Sequence, residues 1–329
     1  MSNQPEVSII VPCFNEQRTI QLLLASIYQQ TYTRKKIEVI IADGLSTDKT
    51  RQEIQDFTLA HPDLVVNVVD NPQRNIPSAL NQAIDAARGE YIIRLDAHSV
   101  PEEDYVARSL ATLKANLGDN VGGLWVIQPG SDTWQARSIA RAAAHPLGVG
   151  DARYRVGGRP QAVDTVPFGA FRRTLIERIG KFDESLLSNE DYEFNARIRR
   201  AGGKIWFDPE IKSKYIARQD LKALAQQYWR YGYWKAKMLR RFPESFRWRQ
   251  MAGIFVVSFP ILALLGILFS WARWLFFLEI AVYLLALLIA GLDAAFKHRD
   301  LILVLGVPLA IATMHFSWGT AFIWSMISR

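Results

Sequence analysis

The stretch Arg88-Gly89-Glu90-Tyr91-Ile92-Ile93-Arg94-Leu95-Asp96-Ala97-His98 carries an apolar run that stops abruptly at an acid and a histidine. Residues 91–95 read as a buried strand, and Asp96 and His98 read as side chains that a tight turn aims at one pocket. The same grammar occurs three times earlier in the chain. Residues 7–11 are an apolar β-branched run closed by Pro12, after which Asn15 and Glu16 lead into an amphipathic stretch through Tyr28. Residues 37–42 precede Asp43-Gly44 and a helix from Thr47, and residues 64–69 precede a loop and a helix from Pro77. Four such units predict an α/β domain with a mostly parallel sheet and helices on both faces.

Open α/β sheets bind ligands at the carboxyl ends of their strands. Those ends here carry Pro12, Asn15 and Glu16, then Asp43, then Asp96 and His98, so one site is expected to gather them. No Gly-x-Gly-x-x-Gly follows the first strand and no Gly-x-x-x-x-Gly-Lys-Ser/Thr occurs, which excludes a dinucleotide fingerprint and a P-loop. A nucleotide would be held by side chains and metal. Beyond residue 120 the pattern loosens. Residues 121–127 are strand-like, residues 148–160 read as a mobile loop, and residues 163–168 lead into a helix around 172–179. Glu190-Asp191 then opens another helix, and a strand follows at 204–207.

Composition changes near residue 250. Residues 252–271, 274–292 and 301–325 are almost wholly apolar, each about the 20 residues that cross a bilayer core, and Glu279 is the one acid in the second stretch. Three membrane helices are expected, with Trp271 and Trp274 bracketing a tight Ala272-Arg273 turn. Arg240, Arg241, Arg247 and Arg249 before the first stretch, and Lys297, His298 and Arg299 after the second, put the N-terminal domain on the cytoplasmic side. The start has no secretory-signal pattern. The expected organisation is a catalytic domain over 1–217, amphipathic interfacial helices over 218–250 and a membrane domain over 251–329. The net charge of +7 reads as adhesion to anionic lipid, since no nucleic-acid module is present. The single cysteine, Cys13, excludes an internal disulfide and a multi-cysteine zinc site, and reads as core.

Asp96 with His98 suits a divalent cation. Oxygen donors favour Mg²⁺, and an imidazole moves the preference toward Mn²⁺. A hydrogen-bonded loop histidine is the plain alternative. Such a cation would neutralise charge on a departing diphosphate. Asp43 is placed to accept hydrogen bonds from a base or ribose, or else serves as a turn aspartate. Glu190 and Asp191 are favoured at a helix start by the dipole alone; the functional alternative is a general base, Asp191 first and Glu190 second.

Val-Ser-Ile-Ile-Val-Pro-Cys-Phe-Asn-Glu, Ile-Ile-Ala-Asp-Gly-Leu-Ser-Thr-Asp-Lys-Thr and the 88–98 stretch together resemble the inverting glycosyltransferases of family two, over about residues 7–231. The resemblance implies the GT-A fold. It implies that Asp43 binds the nucleobase, that Asp96 and His98 form the metal and diphosphate motif, and that Asp191 is the base. Gln227, Arg230 and Tyr231 would close over the diphosphate or acceptor, and Arg74 joins Pro12, Asn15 and Glu16 on the donor side. Two departures stand out: His98 replaces the usual second aspartate of the metal motif, and Tyr231 the usual tryptophan after Gln-x-x-Arg.

The Asp-Ala-His form, the 189–195 run and the apolar C-terminus are most similar to the succinoglycan-biosynthesis ExoA-type branch. This implies a UDP-sugar donor, with GDP open, Mn²⁺ or Mg²⁺ as cofactor, a polyprenyl-diphosphate-linked saccharide as acceptor, and an enzyme of the inner membrane. A saccharide hydroxyl needs a base, whereas a polyprenyl phosphate is already ionised, so Glu190-Asp191 favours saccharide extension. The competing expectations are transfer to polyprenyl phosphate, and a membrane-tethered nucleotidyltransferase or noncatalytic nucleotide sensor.

Overall fold

The computed structural model describes residues 4–328. In chain order its strands are β1 (Val7–Cys13), β2 (Ile37–Asp43), β3 (Val65–Asp70), β4 (Tyr91–Arg94), β5 (Val100–Pro101), β6 (Asn120–Gln128), β7 (Gln161–Ala162), β8 (Ala170–Arg172) and β9 (Ile205–Ile216). The helices of the first two-thirds are α1 (Ile20–Tyr28), α2 (Thr50–Ala60), α3 (Ile76–Ala86), α4 (Tyr105–Lys114), α5 (Trp134–Ala143), α6 (Pro146–Val149), α7 (Arg153–Val156), α8 (Arg173–Ile179) and α9 (Glu190–Arg200). Then come α10 (Leu221–Arg241), α11 (Ala252–Leu268), α12 (Ser270–His298) and α13 (Leu303–Ile327).

The strands form one sheet in the order β3-β2-β1-β4-β8-β6-β9-β5, with β7 also on β9. β3, β2, β1 and β4 are parallel, and Cys13, Asp43 and Asp70 stand level at their carboxyl ends. The remaining measured pairings, β4 with β8, β8 with β6, and β5 and β7 with β9, are antiparallel. The sheet is therefore mixed, where the sequence suggested mostly parallel. Short elements such as β5, β7 and β8 carry too few residues for a periodic signal, so of the antiparallel part only β6 and the start of β9 are legible, at residues 121–127 and 204–207.

The side-chain alternation of the parallel strands divides the core. Val7, Ile9, Val11, Val39, Ile41 and Ile93 face α1, α2 and α4, while Ile10, Ile40, Ala42 and Ile92 face α3, α8 and α9. Both faces of β1, β2 and β4 are buried, which is why they read as continuous apolar runs, whereas β3 at the sheet edge is largely exposed. Burial of each large aliphatic side chain contributes about 1.5–3 kcal/mol. The sheet end away from the candidate site is pinned by Glu38, fully buried, which accepts from Ser8 Oγ (2.6 Å) and from Arg88 N (2.7 Å), Nε (2.9 Å) and Nη2 (2.8 Å).

The chain divides into two compact units, one within Met1–Val126 and Gly157–Tyr215, the other within Ile127–Val156 and Ile216–Arg329. The second unit thus draws in α5, α6 and α7 from the middle of the chain. Residues 148–160, expected as a loop, contain α7 and the end of α6. In this unit α10 starts at Asp220, whose carboxylate accepts from Ala223 N at 2.8 Å, an N-cap. It lies against α13 so closely that a Cβ on Gly232 would come within 2.2 Å of Trp318 O. A Cβ on Gly306 of α13 would likewise meet Ser138 Oγ of α5 at 2.0 Å. Small residues permit both approaches, as in membrane helix packing. Arg240 Nη2 donates to the Ser325 and Met326 carbonyls at the end of α13 (2.5 and 2.9 Å).

α12 and α13 are long and apolar enough to cross a membrane. The first of the three expected spans forms α11, a helix of 17 residues with Pro260 inside. At 1.5 Å per residue it reaches about 26 Å, short of the ~30 Å hydrocarbon core. The break between α11 and α12 falls at Phe269, extended at φ −122° and ψ 122°. Trp271, Ala272, Arg273 and Trp274 therefore lie inside α12, because alanine and arginine are good helix formers and composition alone does not mark a turn there. Glu279 of α12 accepts from Ser258 Oγ of α11, and Tyr283 Oη lies 3.1 Å from His315 Nδ1.

Candidate active site

The site is built first from the end of β2. Asp43 is fully buried and accepts from Ser46 N (3.0 Å), Ser46 Oγ (2.5 Å) and Arg51 Nε (2.6 Å). Arg51 continues to Asp70 at the end of β3, Nη2 to Oδ1 at 2.5 Å. Asn15, after β1, adopts φ 55°, a left-handed geometry asparagine tolerates. Its amide donates to Ser46 Oγ (2.8 Å) and its side-chain oxygen accepts from Thr47 N (2.9 Å). The loops after β1 and β2 are thereby laced together. Arg74, in the loop after β3, places its guanidinium 5.8 Å from the Phe14 ring centre, within cation–π range. Pro12 lies one place inside β1, paired with Ala42.

Past β4, Asp96-Ala97-His98-Ser99 forms a tight turn in which Ser99 N and Oγ donate to Asp96 O (2.9 and 2.7 Å). His98 Nδ1 lies 3.1 Å from Glu16 Oε1, and Glu16 Oε2 accepts from Thr19 Oγ1 at 2.5 Å. Asp96 Oδ1 is 3.3 Å from Arg94 Nη2, and the same Nη2 donates to Glu190 Oε1 at 2.8 Å. Arg94 and Glu190 are each 5% exposed. Burial works against a charged guanidinium, but Asp96, Glu190 and Asp191 around it outweigh that and push its pKa up.

Glu190 and Asp191 open α9 after Asn189, which stands at φ 64°. Asp191 is half-buried, and its Oδ1 accepts from Tyr192 N at 2.8 Å. The body of α9 is held by Asn195, fully inside, which donates to Thr165 Oγ1 and Val166 O (both 2.9 Å) and accepts from Asn120 Nδ2 (2.7 Å). The first unit therefore brings Asn15, Glu16, Asp43, Arg74, Asp96, His98, Glu190 and Asp191 to the loops at one end of its sheet. Gln227, Arg230 and Tyr231 belong to α10 of the second unit. There Gln227 Nε2 donates to Tyr231 Oη at 3.1 Å, one turn on, and Arg230 is exposed.

Among the described residues no three His, Cys, Asp or Glu side chains cluster as a closed metal cage. Asp96 and His98 remain partly open, at 22% and 45% side-chain exposure. A carboxylate and an imidazole that supply only part of a coordination sphere fit a divalent cation shared with ligand oxygens. Cys13 is buried, and burial, then the nearby Asp43 and Glu16, push its thiol pKa up, so it is an inert core residue.

Two residues escaped the sequence reading. Arg51 and Arg94 were visible only as a helix residue and a strand residue. A basic side chain inside an otherwise apolar strand, as in 91–95, was the available signal, because a buried arginine requires carboxylate partners.

The profile of the glycosyl transferase family 2 matches residues 8–180. Over 319 residues the chain is 31% identical to the succinoglycan biosynthesis protein ExoA of Rhizobium meliloti (strain 1021), covering 95% of this chain and 93% of the relative. Over 315 residues it is 27% identical to the dolichyl N-acetyl-alpha-D-glucosaminyl phosphate 3-beta-D-2,3-diacetamido-2,3-dideoxy-beta-D-glucuronosyltransferase of Methanococcus voltae, covering 94% of this chain and 93% of that one. In fold it is similar to the mannosyltransferase PcManGT from Pyrobaculum calidifontis, solved in complex with GDP-Man and Mn2+. The TM-score is 0.63 and the identity 23%, over 98% of this chain and 88% of the other. The mixed α/β fold is GT-A-like, and the chain belongs to glycosyl transferase family 2 and is a glycosyltransferase.

Proposed function

We propose that the enzyme transfers a sugar, with inversion, from a UDP-sugar to a hydroxyl of a polyprenyl-diphosphate-linked saccharide in exopolysaccharide or cell-surface glycan synthesis. The observation that carries this reading is the placement of two adjacent carboxylates at the start of α9, beside Arg94. Glu190 is buried on Arg94, while Asp191 is half-buried and bonded through Oδ1 to the next backbone amide. A carboxylate so placed is suited to accept a proton from a saccharide hydroxyl, which a free phosphate acceptor would not need. The relative from Methanococcus voltae is named for transfer to a dolichyl-phosphate-linked sugar, in line with a saccharide acceptor.

In the proposed reaction Asp191 takes the proton of the acceptor hydroxyl as its oxygen bonds to the anomeric carbon. The bond from that carbon to the donor diphosphate breaks in line, so an α-linked donor yields a β-linkage. Asp43, enclosed by Ser46 and Arg51, would receive hydrogen bonds from the nucleobase only once those partners give way, with Pro12, Asn15, Glu16 and Arg74 on the donor side. Asp96 and His98 would hold the divalent cation, Mn²⁺ or Mg²⁺, which would neutralise charge on the departing diphosphate. From the family resemblance Gln227, Arg230 and Tyr231 are assigned to the diphosphate or acceptor, Arg230 supplying charge. Residues 1–217 are proposed as the catalytic domain, 218–250 as interfacial, and the apolar C-terminus as a multi-pass anchor in the inner membrane, with the catalytic domain on the cytoplasmic side.

The fold neighbour carries GDP-Man, so GDP is the competing nucleotide. Detergent-solubilised protein should be titrated calorimetrically with UDP and GDP, each with Mn²⁺, Mg²⁺ or chelator. It should then be assayed with the matching nucleotide-sugars on polyprenyl-diphosphate-linked saccharide and on polyprenyl phosphate. Metal-dependent binding and product on the saccharide are expected. Product on polyprenyl phosphate alone overturns the acceptor, and nucleotide binding without turnover on either points to a sensor.

A further inference from the structure

We propose that Arg94 is a positioning residue that holds Asp96, at the mouth of β4, and the Glu190-Asp191 start of α9 in one fixed geometry. The inference rests on the assignment of Asp96 to the donor side and Asp191 to proton removal. A single nitrogen, Nη2, reaches both Glu190 Oε1 (2.8 Å) and Asp96 Oδ1 (3.3 Å), although Glu190 lies 96 positions further along the chain. The rest of α9 is anchored elsewhere, by Asn195 to residues 120, 165 and 166, and by Arg197 to the carbonyls of Ile179, Gly180 and Lys181. Its first turn follows Asn189 at a positive φ and is tied to the strand through Glu190.

Packing alone does not explain an arginine here. Nε and Nη1 of Arg94 are buried with no hydrogen-bond partner, and a buried ion pair is often replaced by apolar side chains of similar volume without loss of stability. What the guanidinium adds is direction. It sets two carboxylates against one another, and transfer needs the leaving diphosphate and the attacking oxygen to be held in line. Small displacements of such a pair lower turnover more than they lower binding.

The experiment compares wild type, the Arg94→Met/Glu190→Leu double variant, Arg94→Lys and Asp191→Asn, all as full-length protein in detergent. Binding is read with UDP–Mn²⁺ and GDP–Mn²⁺. Turnover is read with the nucleotide-sugar and lipid-linked saccharide that give product with wild type. The double variant removes the buried Arg94–Glu190 charges together, so that no buried glutamate is left unpaired, while the part-exposed Asp96 loses its contact with the guanidinium. It is expected to bind nucleotide within about threefold of wild type, keep its donor KM within about threefold, and lose at least about tenfold in kcat. Arg94→Lys keeps the charge but not the fork and is expected to fall between. A wild-type kcat in either variant overturns the proposal, and the lysine variant decides it if the double variant does not fold. Full turnover by Asp191→Asn would instead remove the base assignment, while an inactive Asp191→Asn beside fully active Arg94 variants would remove only the role of Arg94.

Discussion

Glu16 Oε1 lies 3.1 Å from Nδ1 of His98, joining the loop after β1 to the turn after β4 across 82 positions of sequence. A carboxylate beside Nδ1 favours the tautomer with its proton there and orients the ring, the arrangement usual around metal-ligating histidines. His98 is thus a residue held in place by a partner, where the sequence offered only a departure from the family's second aspartate.

The first prediction concerns the metal. Glu16→Gln should weaken Mn²⁺-dependent nucleotide binding by about 10-fold. His98→Asp, which restores an all-oxygen pair with Asp96, should move the preference toward Mg²⁺. Calorimetric titration with each cation measures both. Unchanged Mn²⁺ dependence in both variants would remove His98 from the cation site.

Asp191→Asn keeps the size of the side chain and can still accept from Tyr192 N. Turnover should fall by about 10²–10⁴, with UDP or GDP affinity within about threefold of wild type. Glu190→Gln should also lower turnover, through loss of its charged contact with Arg94. Retained turnover in Asp191→Asn, read by product formation on the lipid-linked saccharide, would count against the base.

Stability should depend on acid through two carboxylates at the far end of the sheet. Burial alone would raise the Glu38 pKa, but hydrogen bonds from Ser8 and Arg88 more than offset it, so the pKa is lowered. Glu6, with Lys114, Tyr32 and Lys36 around it, falls to about 2. An unfolded glutamate titrates near 4.3, so a lowered folded value means stability that is present above about pH 4.3 and lost as pH falls toward 2. Melting followed by circular dichroism should show that loss. Glu38→Gln should cost about 1–3 kcal/mol at neutral pH and flatten the profile in the same window. An unchanged acid profile in Glu38→Gln would show that the cluster does not govern it.

The close approach of α10 and α13 makes Gly232 intolerant of a side chain. Gly232→Val should lower the melting temperature and favour aggregation, since its Cβ would meet the Trp318 backbone. For the same reason truncation before Met251, which deletes α13, should leave α5 and α10 with bare apolar faces. The expected product is a chain that aggregates unless detergent covers those faces. A monodisperse, well-folded fragment 1–250 in detergent-free buffer would contradict this.

The sequence by itself determined the long βα units, the loops that carry Asn15, Asp43, Asp96 and His98, and the Glu190-Asp191 helix start. It also determined the apolar C-terminus. These follow from local physics: strands buried on both faces are unbroken apolar runs, acids favour helix starts, and a helix long and apolar enough to cross a membrane shows as a long apolar stretch. Tertiary structure alone decided the antiparallel half of the sheet and the departure of residues 127–156 to the second unit. It also decided the break at Phe269, and the pairings of Glu16 with His98 and of Arg94 with Glu190. The physical reason is that strand order and helix packing bring together residues 82 and 96 positions apart. A buried charge reveals in sequence that it needs a partner, and only the folded chain determines which one it receives.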